Sequence, residues 1–168
     1  CIPSKALLHI VKIVNETQHL SNVGVTFGDP EFDIPKIRDH KNKIISQLNG
    51  GISQLAKARN VNVLCGKASF TNNSEIIVET SEKKEKIQFK NCIIASGSTA
   101  TMLPNLPLNH PLVLTSKTAL NLDDVPGSLL IIGGGIIGLE LGQVYSTLGT
   151  DVSVVEYMPT LIPGADED

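Results

Sequence analysis

The stretch IIGGGIIGLELG at positions 131–142 constrains the fold more than any other part of the chain. It contains the pattern GxGxxG as Gly133, Gly135 and Gly138, directly after an apolar run and directly before a helical pattern. A second apolar run, DVSVVE, follows and ends at Glu156. A strand, a helix and a strand in this order predict a βαβ unit with two parallel strands.

A Gly-rich turn in this context is typical of a dinucleotide site. Gly133 allows the tight turn, Gly135 lets a pyrophosphate approach the backbone, and Gly138 lets the helix lie close to the strand. The helix N-terminus offers free N–H groups to the phosphates. Glu156 can accept hydrogen bonds from the ribose hydroxyls of NAD and repels the 2′-phosphate of NADP, so the pattern predicts NAD. The alternative is a Gly-rich turn that binds no ligand.

Charge and cysteine content exclude several function classes. The net charge of -3, with no basic cluster, predicts no nucleic-acid partner and no anionic membrane surface. The longest apolar run is too short and Gly-rich to span a bilayer, so a cytoplasmic location is the default expectation. The cysteines at positions 1, 65 and 92 predict neither a disulfide framework nor a metal site. Cys65 and Cys92 lie in apolar runs, and we expect both to be buried and inert.

The rest of the chain predicts helices, then a small sheet, then a connector. Helices are expected at about 4–21 and 34–59, the second with a kink or a close packing contact at Gly50 and Gly51. The runs VNVLC, GKASF, EIIVET, KIQF and NCIIAS predict short strands, antiparallel in the middle of the set. A proline-rich connector with a short helix at about 116–120 then leads to a domain boundary near residue 122.

Cys1 and Glu140 each stand at a helix start. The dipole at a helix N-terminus and the cation of Lys5, on the same helical face, favour a reactive thiolate at Cys1. Two-electron thiol chemistry also needs a second sulfur or an electron acceptor, and the sequence offers neither nearby. Glu140 lies two residues after the last glycine. From its position alone, a favourable interaction of the carboxylate with the helix dipole explains why an acidic residue stands there.

Several stretches in order carry a resemblance to one family. CIPSKALLH resembles the second half of the CxxxxCxPSKxLL redox motif of the flavin-dependent pyridine nucleotide–disulfide oxidoreductases. GGGIIGLELG and VVE resemble their NAD-binding unit, and IIASGS resembles an ATGS flavin-contact segment. An SxxAL pattern before VPGSLLIIGGG, and PTLIPGADED, complete the set over nearly the whole chain.

The resemblance implies a fold and a place within it. The fold is α/β, part of a two-domain FAD- and NAD-binding flavoprotein reductase of Rossmann-like, three-layer type, with a small antiparallel sheet. Residues 1–122 would belong to the FAD-binding domain without its N-terminal βαβ unit, and 123–168 would begin the NAD-binding domain. The C-terminal interface domain, the flavin-distal cysteine and the acid–base histidine would lie outside this chain, which we expect to be an internal part of a longer polypeptide.

The resemblance also implies roles for individual residues. Cys1 matches the flavin-proximal sulfur of the redox disulfide, Lys5 the lysine beside the flavin ring, and Glu140 the carboxylate that pairs with that lysine. If so, the charged ends of Lys5 and Glu140 should lie within about 4 Å of each other. Ser96 stands where the family usually has threonine, and Thr99-Ala100 replace a common Arg-Pro. The implied cofactor-binding residues are Lys5, Ala68, Ser96 and Gly97 for FAD, and Gly133, Gly135, Ile137, Gly138, Glu140 and Glu156 for NAD.

The activity implied by the resemblance is oxidation of dihydrolipoamide to lipoamide through the redox disulfide and FAD, with reduction of NAD+ to NADH. The implied partners are the lipoyl-bearing domains of 2-oxo acid dehydrogenase complexes, and a second copy of the parent chain in a homodimer. Two alternatives remain. One is a related FAD-dependent reductase of another disulfide or of a metal ion, and the other is a fragment that binds a nucleotide without catalysis.

Overall fold

The computed structural model describes residues 1–104, 106–107, 109–162 and 164–166. The chain divides into two compact units, one formed by Cys1–Leu48 with Ala100–Asp168 and the other by Asn49–Thr99. Pro163 and the last two residues of the PTLIPGADED stretch lie outside the described residues. Within the described part, no helix has the length and apolar character needed to cross a membrane.

Two long helices open the chain, as the periodicity predicts. Helix α1 spans Ile2–His19 and continues as a 3-10 turn at Leu20–Val23, which ends at Gly24 with φ of 90°. Helix α2 spans Ile34–Ala58, and the Asp33 carboxylate accepts a hydrogen bond from the Lys36 N–H in its first turn. The helix runs unbroken through its two glycines. A Cβ on either would meet no atom within 4 Å, so the close packing contact expected there is wrong.

The second unit holds the predicted antiparallel sheet. Its strands are β1 Lys67–Asn72, β2 Glu75–Glu79 and β3 Lys84–Gln88, in the order β1-β2-β3 with antiparallel pairing. The first hairpin turn is held by Asn72, whose side-chain oxygen accepts the Ser74 N–H at 2.9 Å. This part of the prediction is confirmed.

Two of the five predicted strands are wrong. The runs 61–65 and 91–96 do not form strands, and among the described residues neither one pairs with a neighbouring strand. A strand needs a partner for its N–H and C=O groups, so an apolar run without one stays irregular. Cys65 and Cys92, which lie in these runs, are both exposed. The expectation of buried thiols is therefore also wrong.

The predicted βαβ unit is confirmed. Strand β4 spans Ser128–Ile132, helix α4 Ile136–Thr147 and strand β5 Asp151–Val155. The two strands pair in parallel, with Ser128 opposite Asp151 and Ile132 opposite Val155. The short helix of the connector, α3, spans Ser116–Ala119 and begins at a capping box formed by Thr115 and Thr118.

The core of the first unit lies where α1 packs against α4. Leu7 and Val11 of α1 and Val144 and Tyr145 of α4 are each at most 2% exposed, and Leu122 joins them. These residues come from both sides of the domain boundary expected near residue 122, and that boundary stays a prediction. The packing presents the first turns of α1 and α4 to each other.

Candidate functional site

The Gly-rich loop between β4 and α4 has the backbone geometry expected of it. Gly133 has φ of +108°, a conformation that residues with a Cβ rarely adopt, and its N–H donates to the Val155 carbonyl at 2.8 Å. A Cβ on Gly138 would lie 2.6 Å from the Gly133 carbonyl oxygen and 2.9 Å from the Ile131 side chain. The turn and the close approach of helix to strand both require glycine.

The space above Gly135 is open. This residue is the N-cap of α4, and a Cβ there would meet no atom within 4 Å. The first N–H groups of a helix have no partner within the helix, and an anion at this position can accept from them. Ile137, in the first turn of α4, is 58% exposed. The loop therefore fits a dinucleotide pyrophosphate, and the binding roles of these residues are proposals.

Glu156 lies directly beyond β5 and is held by main-chain donors. Its Oε2 accepts the Gly134 N–H at 2.6 Å, and its Oε1 accepts the Met158 N–H at 2.7 Å. The hydrogen bond from Met158, and then that from Gly134, hold the pKa of the Glu156 carboxyl below its usual value. The side chain is thus an oriented carboxylate at the edge of the Gly-rich loop, where the sequence predicts the ribose.

Lys5 and Glu140 form the ion pair expected of them. Lys5 Nζ lies 2.6 Å from Glu140 Oε1, although the two residues are 135 positions apart. The Lys5 side chain is 65% exposed and that of Glu140 26%. An ion pair so open to water contributes at most about 1 kcal/mol to stability. Its effect is to join the first turn of α1 to the first turns of α4.

Cys1 is exposed and precedes α1 as its N-cap residue. Its carbonyl oxygen accepts the Lys5 N–H at 3.0 Å and the Ser4 hydroxyl at 3.1 Å. The cysteine and the lysine therefore share one helical turn, with the carboxylate of Glu140 on the lysine. Any role of Cys1 in redox chemistry remains a proposal.

The other expected FAD contacts lie in the second unit. Ala68 is on β1 opposite Val78, and Ser96 and Gly97 lie in the irregular segment after β3. Gly97 has φ of +75°, and a Cβ there would meet no atom within 4 Å. This backbone position suits close approach of a ligand, and the cofactor roles of the three residues stay predictions.

The roles of two buried polar residues could not be predicted from the sequence. Lys41 of α2 is 4% exposed, and its ammonium donates to the Leu120 carbonyl at 2.6 Å and to the Asn121 carbonyl at 3.1 Å. The hydroxyl of Tyr145 donates to the Ala119 carbonyl at 2.8 Å. Both satisfy carbonyls at the end of α3, and nothing in the local sequence marks either residue for that role.

The polar contacts of Gly134 were also missed. Gly134 is only a variable position of the GxGxxG pattern, yet its N–H and its carbonyl are both hydrogen-bonded to residues after β5. The run of three glycines was the available signal.

Among the described residues, no group of three or more His, Cys, Asp or Glu side chains could hold a metal ion.

The fold and this site define a class of protein. The pyridine nucleotide-disulphide oxidoreductase family matches residues 1–168, and the chain belongs to that family.

Particular relatives refine that class. The chain is 48% identical over its whole length to dihydrolipoyl dehydrogenases of Vibrio cholerae serotype O1 and Vibrio parahaemolyticus serotype O3:K6. It spans only 35% of the length of each. Among solved structures, the Cu(II) complex of the HOCl-induced flavoprotein disulfide reductase RclA from Escherichia coli superposes with a TM-score of 0.77 at 30% identity, over 99% of this chain and 34% of that one.

Proposed function

We propose that the protein to which this chain belongs is a dihydrolipoyl dehydrogenase. It oxidises dihydrolipoamide to lipoamide and reduces NAD+ to NADH, as the flavoprotein component of 2-oxo acid dehydrogenase complexes. Relatives of that name are 48% identical to the chain, which covers about a third of their length. The reaction therefore belongs to the whole protein and not to these 168 residues alone.

The observation that carries this proposal is the 2.6 Å contact between Lys5 and Glu140. Lys5 shares a helical turn with Cys1, and Glu140 follows the Gly-rich loop on α4. One ion pair thus ties the helix that carries the thiol to the helix that would receive the coenzyme. A protein that only bound a nucleotide would not need that connection.

The residues of this chain supply placement and charge. Cys1 is the flavin-proximal sulfur of the redox disulfide that the substrate dithiol reduces, and the helix N-terminus favours its thiolate form. Lys5 supplies a cation on the same helical turn as Cys1, and Glu140 holds the lysine ammonium at 2.6 Å. When bound, FAD and NAD+ supply the electron and hydride chemistry that these side chains cannot perform. Lys5, Ala68, Ser96 and Gly97 would hold the first, and the Gly-rich loop with Ile137, Glu140 and Glu156 the second.

The proposed setting follows from the same function. The partners are the lipoyl-bearing domains of the complexes and a second copy of the parent protein in a homodimer, and the location is cytoplasmic. The net charge of -3 gives no support to a nucleic-acid or membrane partner.

The ion pair can be tested in the parent enzyme with Lys5→Met and Glu140→Gln. Each should lower the turnover of dihydrolipoamide with NAD+ by at least about tenfold. We expect loss of the ion pair to remove at least roughly 1.4 kcal/mol of transition-state stabilisation, which corresponds to a tenfold change in rate. Each should also shift the visible absorption of the bound flavin, since the cation beside it is lost or displaced. Lys12→Met is the matched control, because Lys12 is on the same helix in an exposed pair with Glu16 at 3.6 Å. Equal turnover in all three variants would contradict the proposal.

A second candidate is a reductase that acts on a metal ion through the same core. It is favoured by the 30% identity to a flavoprotein disulfide reductase solved as a Cu(II) complex. Turnover of NADH with Cu(II), and none with lipoamide, would select it. The higher identity to dihydrolipoyl dehydrogenases favours the first candidate.

A further inference from the structure

The segment after β5, residues 156–162, folds back over the Gly-rich loop, and we refer to it as the return segment. It forms hydrogen bonds with both main-chain polar groups of Gly134. The N–H of Gly134 donates to Glu156 Oε2 at 2.6 Å, and the carbonyl of Gly134 accepts the Ile162 N–H at 3.0 Å. A third bond, from the Met158 N–H to Glu156 Oε1 at 2.7 Å, closes the segment on itself.

The return segment also packs directly on Gly134. A Cβ at this position would lie 2.5 Å from Leu161 Cδ2 and 3.2 Å from the Glu156 Cβ. Unlike Gly133, Gly134 does not have positive φ, so its backbone conformation does not require glycine. The requirement comes from Leu161 and Glu156. Leu161 can move, since its side chain is flexible and 55% exposed, whereas the Cβ of Glu156 is fixed to the backbone.

These contacts have a consequence for coenzyme binding. The Gly134 N–H is already used by Glu156, so the pyrophosphate must be bound by the other N–H groups of the loop and of the first turn of α4. The Gly134 N–H is one of two main-chain donors that orient the Glu156 carboxylate, so displacement of Gly134 would remove the donor to Oε2. The residues that hold Gly134 therefore act on the ribose site without touching it.

We propose that Leu161 is a positioning residue for the coenzyme: with the main chain of Ile162 it holds Gly134, and through Gly134 the Glu156 carboxylate, in the geometry that receives the ribose of NAD. This inference rests on the proposed function. It adds a residue outside the GxGxxG pattern to the determinants of dinucleotide affinity. Since Leu161 would act through the ribose site and not through Cys1 or Lys5, we expect it to affect KM for NAD+ more than kcat.

The test uses the flavin-loaded parent enzyme and its dissociation constant for NADH. Leu161→Ala should weaken NADH binding by about threefold to tenfold, because a pre-organised site loses affinity when its support is removed. It should raise KM for NAD+ with little change in kcat, and Leu161→Met should retain most of the affinity. Leu112→Ala is the matched control, since Leu112 is 83% exposed in the same unit.

Gly134 provides a second pair of variants. Gly134→Ala should cost about twofold, because the flexible end of Leu161 must move and Glu156 must shift only slightly, whereas Gly134→Val should cost at least about tenfold, because its larger side chain displaces Glu156. In the Leu161→Ala background the loss caused by Gly134→Val should be smaller than in the wild type, as expected for residues in contact. Fully additive losses would overturn the inference.

Amide hydrogen exchange, measured without coenzyme, separates this inference from the proposed function. The Gly134 amide should be protected in the wild type, and Leu161→Ala but not Leu112→Ala should accelerate its exchange. Unchanged exchange in Leu161→Ala would sink the positioning role, even if the wild type binds NADH. Failure of the wild type to bind NADH would instead refute the proposed coenzyme and with it the role in coenzyme binding, and the exchange result would then show only whether Leu161 holds Gly134.

Discussion

At the scale of single residues, the carboxylate of Glu156 both accepts main-chain hydrogen bonds and is the proposed ligand of the ribose. It accepts N–H groups from Gly134 and Met158, and these bonds stabilise its charged form. Each carboxylate oxygen has more than one lone pair, so hydroxyls of a ribose can still be accepted. The same negative charge would repel a 2′-phosphate, which makes this residue the proposed determinant of coenzyme choice.

Replacement of this residue tests coenzyme choice. The wild-type parent enzyme should prefer NADH to NADPH, and Glu156→Arg should reduce that preference by at least about tenfold, because a repulsive charge becomes an attractive one. The measurement is kcat/KM with each coenzyme. Glu82→Arg, which makes the same change of charge in the turn between β2 and β3, should leave the preference unchanged. A wild type that prefers NADPH would exclude the NAD assignment.

At the scale of the elements, the contact between α3 and α4 depends on a buried hydroxyl. The Tyr145 side chain is 1% exposed, and its hydroxyl donates to the Ala119 carbonyl near the end of α3. Burial, with a smaller contribution from Asp123 and Asp124, raises the pKa of Tyr145 above its usual value of 10.0. The folded state therefore favours the neutral phenol, which can donate this bond.

Tyr145→Phe removes that bond while keeping the ring. We expect a loss of about 1 kcal/mol in the free energy of unfolding, because the Ala119 carbonyl is left without its donor. Since the folded pKa is raised, the stability contributed by the phenol is complete below pH 10.0 and is lost as the pH rises through the folded value. Denaturant titration at neutral and alkaline pH should show the difference between wild type and variant shrinking only in alkali.

The chain offers a matched control for this variant. Tyr157 is 98% exposed, and Tyr157→Phe should leave the free energy of unfolding within about 0.5 kcal/mol of the wild type. Equal losses in both variants would show that the hydroxyl of Tyr145 contributes nothing specific.

At the scale of the whole molecule, the exposed apolar runs 61–65 and 91–96 stand out. Val63 is 68% exposed and Ile93 92%, and within the described residues these runs have no strand beside them. Such segments expose apolar side chains together with main-chain groups that are not paired in a sheet, a combination that promotes association between chains.

We therefore expect the 168-residue chain, produced alone, to self-associate at micromolar concentration. Val63→Lys and Ile93→Lys should each shift it toward the monomer, because a charge within an exposed apolar run opposes association between chains. Sedimentation velocity gives the distribution of species. Leu112→Lys adds the same charge at an exposed leucine outside both runs and should have a smaller effect. A wild-type chain that is monomeric throughout would contradict this expectation.

Local pattern predicted most of the elements, as particular residues show. The helix of residues 2–19, the three-stranded sheet and the βαβ unit follow from apolar periods and turn residues that act over a few positions. The run VNVLC has the same strand-like pattern and forms no strand, since pairing depends on a distant partner. Lys41 carries no local signal at all, because its acceptors are 79 and 80 residues away.

The sequence by itself determined the strand, Gly-rich turn, helix and strand of residues 128–155, because backbone conformation there is set by neighbouring residues. Only the tertiary structure decided which groups meet. The position of Glu140 in the sequence suggests only a favourable interaction with the dipole of α4. Packing of α1 on α4 is what brings the Lys5 ammonium to its carboxylate. The path of the return segment after β5 likewise decides which groups form hydrogen bonds with Gly134. Contacts between distant residues depend on how whole elements pack, and no local pattern contains that information.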